Sequence, residues 1–364
     1  MKLTFHKDDA LQVIQPLQGV ISSKSMLPIL SHVILEAGPK GVKMIASDLE
    51  LWISCPLAAE VEEEGANSIP GRRLFNIIKE MPGDTISLES AGDNEIRISC
   101  SRSFFKMKSL PREEFPAAPD LGDAVALSIR QAELKNLIRK TAYAISLDET
   151  RYVLNGLYLL FENGEITAVA TDGRRLALAR TECSLPADLK REIILPHKAV
   201  MELGRILGDD GECVIKLGER QAAFELPGVL LISRLVEGRF PSYQQVIPQE
   251  EGTTLALPRL EFMQAVKLAA LITDEKSNSV RFTFGKGMAL LRAVTPDVGE
   301  TREELEISYD GEDLEIAFNP YYIIDVLKAL DDEDEINLQL INSDSPGILK
   351  TDGRFLCVIM PMKL

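Results

Sequence analysis

Three short segments of this chain spell one amphipathic helix. Residues 69–84 read IPGRRLFNIIKEMPGD, residues 195–210 read LPHKAVMELGRILGDD, and residues 318–333 read FNPYYIIDVLKALDDE. With Pro70, Pro196 and Asn319 in register, Leu74, Val200 and Ile323 coincide, as do Phe75, Met201 and Ile324. Ile77, Leu203 and Val326 then match, followed by Met81, Leu207 and Leu330. Apolar positions at i, i+3 and i+7 give one buried face. On the opposite face Lys79, Arg205 and Lys328 align, and so do Arg72, Lys198 and Tyr321. One such helix constrains little, but three at spacings of 126 and 123 residues define an internal repeat.

A second series agrees with the first. DALQVIQPLQGVI near the start, AELKNLIRKTAYAI at 132–145 and LEFMQAVKLAALI at 260–272 share an apolar pair followed by Gln15, Arg139 or Lys267. Pro16 is expected to bend or shorten the first of these helices. Between the helices run alternating apolar segments that read as strands, each with a glycine-containing hairpin turn near its middle. Asp48 and Asp172 stand 124 residues apart, as do Thr171 and Thr295. The expected fold is α+β: three tandem copies of one domain, each with two helices over an antiparallel sheet. The expected boundaries are 1–122, 123–251 and 252–364, with joints in the Pro- and Gly-rich EEFPAAPDLGDA and GRFPSYQQVIPQEEGT. A length of 364 residues suits two or three such cores.

Composition narrows the function. The net charge of −16 argues against an anionic membrane partner and, if evenly spread, against nucleic acid. It is not evenly spread: the six helical segments carry a net of about +5, so the remainder is more acidic still. A basic helical layer on an acidic body would attract phosphates to one surface only. Two chains closing into a ring would line it with twelve helices. At 8–10 Å between axes the lining has a circumference of about 100–120 Å, leaving a hole comparable to a duplex. The five cysteines show no CxxC pairing and read as small core residues in a reducing compartment. The first residues lack a signal-peptide pattern and no long apolar stretch follows, so a cytoplasmic location is expected.

Several stretches in order resemble the family of bacterial sliding clamps, the β subunits of DNA polymerase III: LPIL at 27–30, RYVLNG at 151–156, ATDGRRLA at 170–177, GRFPSYQQVIP at 238–248 and the terminal VIMPMKL. The resemblance runs end to end. It implies a head-to-tail homodimer, half a ring per chain, closed around double-stranded DNA without sequence preference and opened by a clamp loader. It implies no catalysis, no cofactor and no metal, and a role in tethering polymerase and repair proteins through short peptide motifs. The gain is effective concentration, because a released polymerase rebinds intramolecularly.

The same resemblance places a peptide pocket at Leu154, Thr171, Gly173, Arg174, Arg175, Leu176, Pro241, Val246, Val358, Met360, Pro361 and Met362, with Pro346 in a neighbouring loop. Met and Pro make an adaptable apolar cleft suited to many peptides, although VIMPM also reads as a plain core strand. Gln244 and Gln245 depart from the arginine pair of some members. DNA-facing positions are Lys24, Arg72, Arg73, Arg151, Tyr152, His197 and Lys198, each Lys or Arg among them equally readable as ordinary surface charge. Asp148 is acidic where a neutral polar residue occurs elsewhere in the family. For the dimer seam the resemblance points to Arg102 and Phe105 meeting Leu271, Ile272, Glu303 and Glu304 of a second copy. Strict strand alternation would expose only one of Phe104 and Phe105.

Two other classes compete with this reading. An enzyme could use Asp48 and Asp172 as acid and base, with His6, His32 and His197 as ligands. However, the two aspartates are repeat equivalents, which suits turn chemistry. The histidines lack metal-like spacing, and no GxGxxG, GxxxxGK[ST] or GxSxG occurs. A protein-only scaffold that binds peptides without encircling DNA is the alternative the overall charge allows.

Overall fold

The computed structural model describes residues 1–21, 26–91, 94–186, 188–250, 252–274, 278–351 and 353–363. Among these residues the α-helices are α1 (Lys7–Leu17), α2 (Gly71–Glu80), α3 (Gln131–Thr141), α4 (His197–Ile206), α5 (Arg259–Ala270) and α6 (Pro320–Ala329). Each repeat therefore supplies two, at the places where the apolar spacing predicts them. α1 ends one residue beyond Pro16, whose missing N–H cannot bond the carbonyl four residues back and whose ring crowds it, so the helix stops there.

In all three repeats the first residue of the first helix closes the end of the second. Lys7 donates its backbone N–H to Asp84 O and its ammonium to Met81 O, both at 2.8 Å. Gln131 donates N–H to Gly211 O, while its side-chain oxygen accepts from Gly208 N at 2.9 Å. Arg259, buried at 7% exposure, donates N–H to Asp334 O and its guanidinium to Leu327 O and Glu333 O. The last carbonyls of a helix lack intrahelical partners, and a cation there also answers the helix dipole.

The strands do not respect the repeat boundaries. The chain packs as two units, 1–134 with 201–235 and 135–200 with 236–364. In the first, an eight-stranded sheet runs in the order Val125–Arg130, Glu212–Leu217, Gln221–Leu226, Val229–Arg234, Leu51–Leu57, Gly41–Ser47, His32–Gly38, Gly65–Pro70. Val229–Arg234 joins the middle repeat to the first by antiparallel pairing of Ile232 with Trp52. In the second unit the order is Arg191–Pro196, Gly156–Glu162, Glu165–Thr171, Arg175–Glu182, Phe355–Ile359, Gly347–Lys350, Glu335–Leu340, Thr253–Pro258. There the fusion is Leu176 with Val358. Pairing across repeats satisfies strand edges that would otherwise stay open.

Each unit also holds a smaller antiparallel sheet. The first has Ala59–Glu63, Lys2–His6, Thr85–Ser90, Glu95–Cys100 and Ser103–Lys108; the second has Gly299–Glu306, Met288–Thr295, Val280–Gly285 and Leu314–Phe318. The repeat-aligned residues Leu74, Val200 and Ile323 are buried, as are Met81, Leu207 and Leu330. The Phe75 position diverges: Ile324 is 6% exposed but Met201 is 52% exposed. The hairpin turns at Gly41, Gly164 and Gly287 all have positive φ, which explains why glycine recurs there. The cysteines are free, and burial pushes the Cys55, Cys213 and Cys357 thiols up to about 12, as inert core residues.

Asp48 and Asp172 make the same turn. Asp48 Oδ1 accepts from Glu50 N and Leu51 N, and Asp172 Oδ1 from Arg174 N and Arg175 N. Ser47 Oγ donates to Leu51 O as Thr171 Oγ1 donates to Arg175 O. These carboxylates are spent on backbone geometry, which removes the basis for reading them as an acid/base pair.

Candidate functional site

In the second unit, the turn Thr171–Arg175 meets the chain end. Strand Phe355–Ile359 pairs with Arg175–Glu182, and the chain continues past it in extended form. Met360 N donates to Arg174 O at 2.9 Å and Met362 N to Ala317 O at 2.8 Å. The segment Met360–Met362 is thus strung between a middle-repeat turn and a third-repeat strand. Beside it lies a cleft of about 350 Å³ lined by Arg174, Asn278, Asn319, Tyr322 and residues 360–363. Met360 is 45% exposed, so the segment is not a plain core strand.

Of the expected pocket residues, Arg174, Met360, Pro361 and Met362 line the cleft. Leu176 and Val358 form its buried support, packed with Tyr158, Val169, Ile194 and Tyr243. Thr171 shapes the turn, and Gly173 occupies its left-handed position at φ 86°. Leu154 and Pro346 are half-buried, whereas Pro241 and Val246 are exposed in the connector, whose Phe240 stacks on Tyr158 at 4.9 Å. Gln244 and Gln245 are exposed beside them.

Arg175 has a different place from the one expected of a cleft-lining residue. Its side chain is 10% exposed and donates to Asp325 at 2.8 Å, Asp172 at 3.1 Å and Tyr143 O at 2.6 Å. The rings of Tyr143 and Tyr322 flank its guanidinium, with centroids 5.3 and 4.6 Å away. A guanidinium so fully engaged ties the turn to α6 instead of facing a ligand.

Asn278, Asn319, Tyr322 and Lys363 are cleft residues that the sequence reading missed. A signal for two of them existed in the tripled helix: Asn319 is its cap, accepting from Tyr321 N, and Tyr322 lies in its first turn. The Ala317–Met362 bridge, a long-range contact, brings them to residue 362.

The positions expected to face DNA divide by environment. Arg72 and Arg73 are exposed in the first turn of α2, and Arg151 and Tyr152 in the 3₁₀ turn Glu149–Leu154. Arg151 reaches Asp172 O at 3.3 Å. Asp148 caps that turn, and its hydrogen bonds from Thr150 hold its carboxyl below the usual range. His197 and Lys198 are half-buried at the start of α4. Burial draws the His197 imidazole below its ordinary pKa. Lys24 lies outside the described residues.

Several helix cations are not part of a free basic layer. Lys7 and Arg259 cap helix ends, as above. Arg205 donates to Gln15 O and Pro16 O at 2.9 Å and pairs with Glu202. Arg139 pairs with Asp331 and Asp332, and Lys140 with Asp332. Arg72, Arg73, Lys79 and Lys328 remain exposed.

Two exposed sheet edges hold the seam candidates. Strand Ser103–Lys108 is the edge of the five-stranded sheet, preceded by exposed Arg102 and carrying Lys106 and Lys108. Phe104 is 60% and Phe105 41% exposed, so both rings, not one, meet solvent. Alternation still sends them to opposite faces, but neither face of this edge strand is fully covered. In the second unit the edge strand is Gly299–Glu306, with Glu300, Glu303, Glu304 and Glu306. Leu271 is 75% exposed just past α5, Ile272 is half-buried, and Leu268 adds apolar surface that sequence reading did not assign.

Comparison with known proteins agrees along the whole chain. Family models described as DNA polymerase III beta subunit match in three parts: N-terminal domain over residues 1–119, central domain over 128–242 and C-terminal domain over 244–363. The chain is 36% identical to the beta sliding clamp of Chlamydia pneumoniae, covering 100% of this chain and 99% of that one. It is 30% identical to that of Pseudomonas aeruginosa, covering 100% of both. Among solved structures, the DNA polymerase sliding clamp of Bacillus subtilis superposes with a TM-score of 0.95 at 29% identity, covering 100% and 99%. A Pseudomonas aeruginosa clamp bound to griselimycin gives 0.95 at 30% identity, covering 100% of both.

Proposed function

The chain belongs to the DNA polymerase III beta-subunit family, and from that membership we propose that it is a non-catalytic sliding clamp of the cytoplasm. In this reading two copies close head to tail around duplex DNA, a clamp loader opens them, and the polymerase and other DNA-processing proteins are held by short peptides. The domains are taken at 1–122, 123–251 and 252–364. The observation that carries the reading is the end-to-end match of three consecutive clamp-domain models. The edge strands support closure: Ser103–Lys108 with its lysines faces, in a second copy, the glutamate-rich Gly299–Glu306. Opposite charges flanking Phe104, Phe105 and Leu271 favour correct pairing while leaving an openable joint. No helix among the described residues is long and apolar enough to cross a membrane.

The cleft beside Met360–Met362 is the proposed peptide site. Met362→Ala is expected to weaken a Gln-Leu-x-Leu-Phe peptide about tenfold or more, as loss of a thioether wall from an apolar cleft. Unchanged calorimetric affinity would remove the assignment. Arg72 and Arg73 are proposed to touch phosphates. Replacing both with alanine is expected to flatten the plot of log affinity against log salt by about 1.8, near 0.9 per lost contact. An unaltered slope would return them to ordinary surface charge.

A further inference from the structure

The rim of the cleft carries charge that its floor does not need. Tyr322, Met360, Pro361 and Met362 give an apolar surface, and Asn278 and Asn319 are neutral. Among the described residues, the charged side chains lining it are Arg174 and Lys363, both exposed and neither in an ion pair. Asp172, in the turn that carries Arg174, and Asp325, on α6, are both held by Arg175. In a chain with a net charge of −16, an apolar cleft whose described lining holds two cations and no carboxylate stands out.

The two cations bracket the apolar segment. Arg174 O accepts from Met360 N, and Lys363 follows Met362, so one cation stands at each end of Met360–Met362.

Resting on the peptide-site reading above, we infer that the cleft selects peptides carrying acidic residues on both flanks of their apolar anchors, with Arg174 and Lys363 reading the two charges. The apolar floor supplies affinity, and the cations supply preference and faster encounter. A nucleic-acid phosphate would meet the same cations but would gain nothing from a floor of Met, Pro and Tyr.

The test uses the full-length protein and two capped peptides, acetylated and amidated so that no terminal charge contributes. Both contain Gln-Leu-Ser-Leu-Phe, one flanked by Asp on each side and the other by Asn. Exposed ion pairs are individually weak, so the Asp peptide should bind about three- to tenfold tighter at 50 mM salt. The advantage should shrink below about twofold at 1 M salt, where screening acts within about 3 Å. In the Arg174→Gln, Lys363→Gln double variant the Asp-to-Asn ratio should fall to near one. Equal binding of the two peptides by the unaltered protein overturns the inference while leaving the peptide site intact. A ratio that survives in the double variant overturns the assignment to these two residues. Binding of neither peptide overturns the site and the inference with it. Displacement of the Asp peptide by a duplex oligonucleotide at the same salt would show that the cations serve phosphate instead.

Discussion

Replacing Arg175 with alanine is expected to destabilise the second unit by about 3 kcal/mol, the low end of the range for breaking a buried ion pair. The side chain is 10% exposed and satisfies two carboxylates and a carbonyl. Its removal strands Asp172 near the core and leaves Tyr143 O without its donor. Asp325 is 36% exposed, so its freed carboxylate rehydrates in part, which is why the low end applies. In urea the transition of that unit should shift down by roughly 1–2 M. Peptide affinity should fall in the same variant, because the turn that carries Arg174 is no longer anchored to α6. Arg175→Lys should recover only part of both effects, since an ammonium lacks the guanidinium fork and its stacking between two rings. A midpoint shift below about 0.3 M for the alanine variant would contradict the strut.

Leu271→Ala combined with Ile272→Ala is expected to convert the proposed dimer to monomer at micromolar concentration. Leu271 is 75% exposed in the isolated chain, so burying it on closure is a gain made only in the dimer. At about 2 kcal/mol for each apolar anchor, the pair weakens association by roughly a thousandfold. The folded chain itself should lose little, because α5 is held by Phe262, Val266 and Ala269, which are fully buried. Sedimentation of the double variant as an undiminished dimer would place the seam elsewhere.

The helices, their register and the Asp48 and Asp172 turns were legible in the sequence because each is a local pattern repeated three or two times. The sheet fusion was not, since Ile232 pairing with Trp52 and Val358 with Leu176 joins residues far apart in sequence. Counting helix charges overstates the number of free cations for a physical reason. Lys7, Arg139, Lys140, Arg205 and Arg259 look like surface cations in a one-dimensional pattern, yet each finishes a helix end or pairs with an acidic cap. Arg175 sits two residues from the exposed turn glycine and reads as a cleft residue until Asp325, 150 positions away, is seen to hold it. The Met360–Met362 cleft was half legible: the unusual residues stood out, while Asn319 and Tyr322 needed the third dimension.

Retention on DNA tests the tether directly. Loaded onto a nicked circle, the protein should stay bound through a high-salt wash, since what holds it is topology and not contact energy. Cutting that circle once should release it within the time of diffusion to an end. Equal retention on the circle and on the cut product, or loss from both in the same salt, would contradict encirclement.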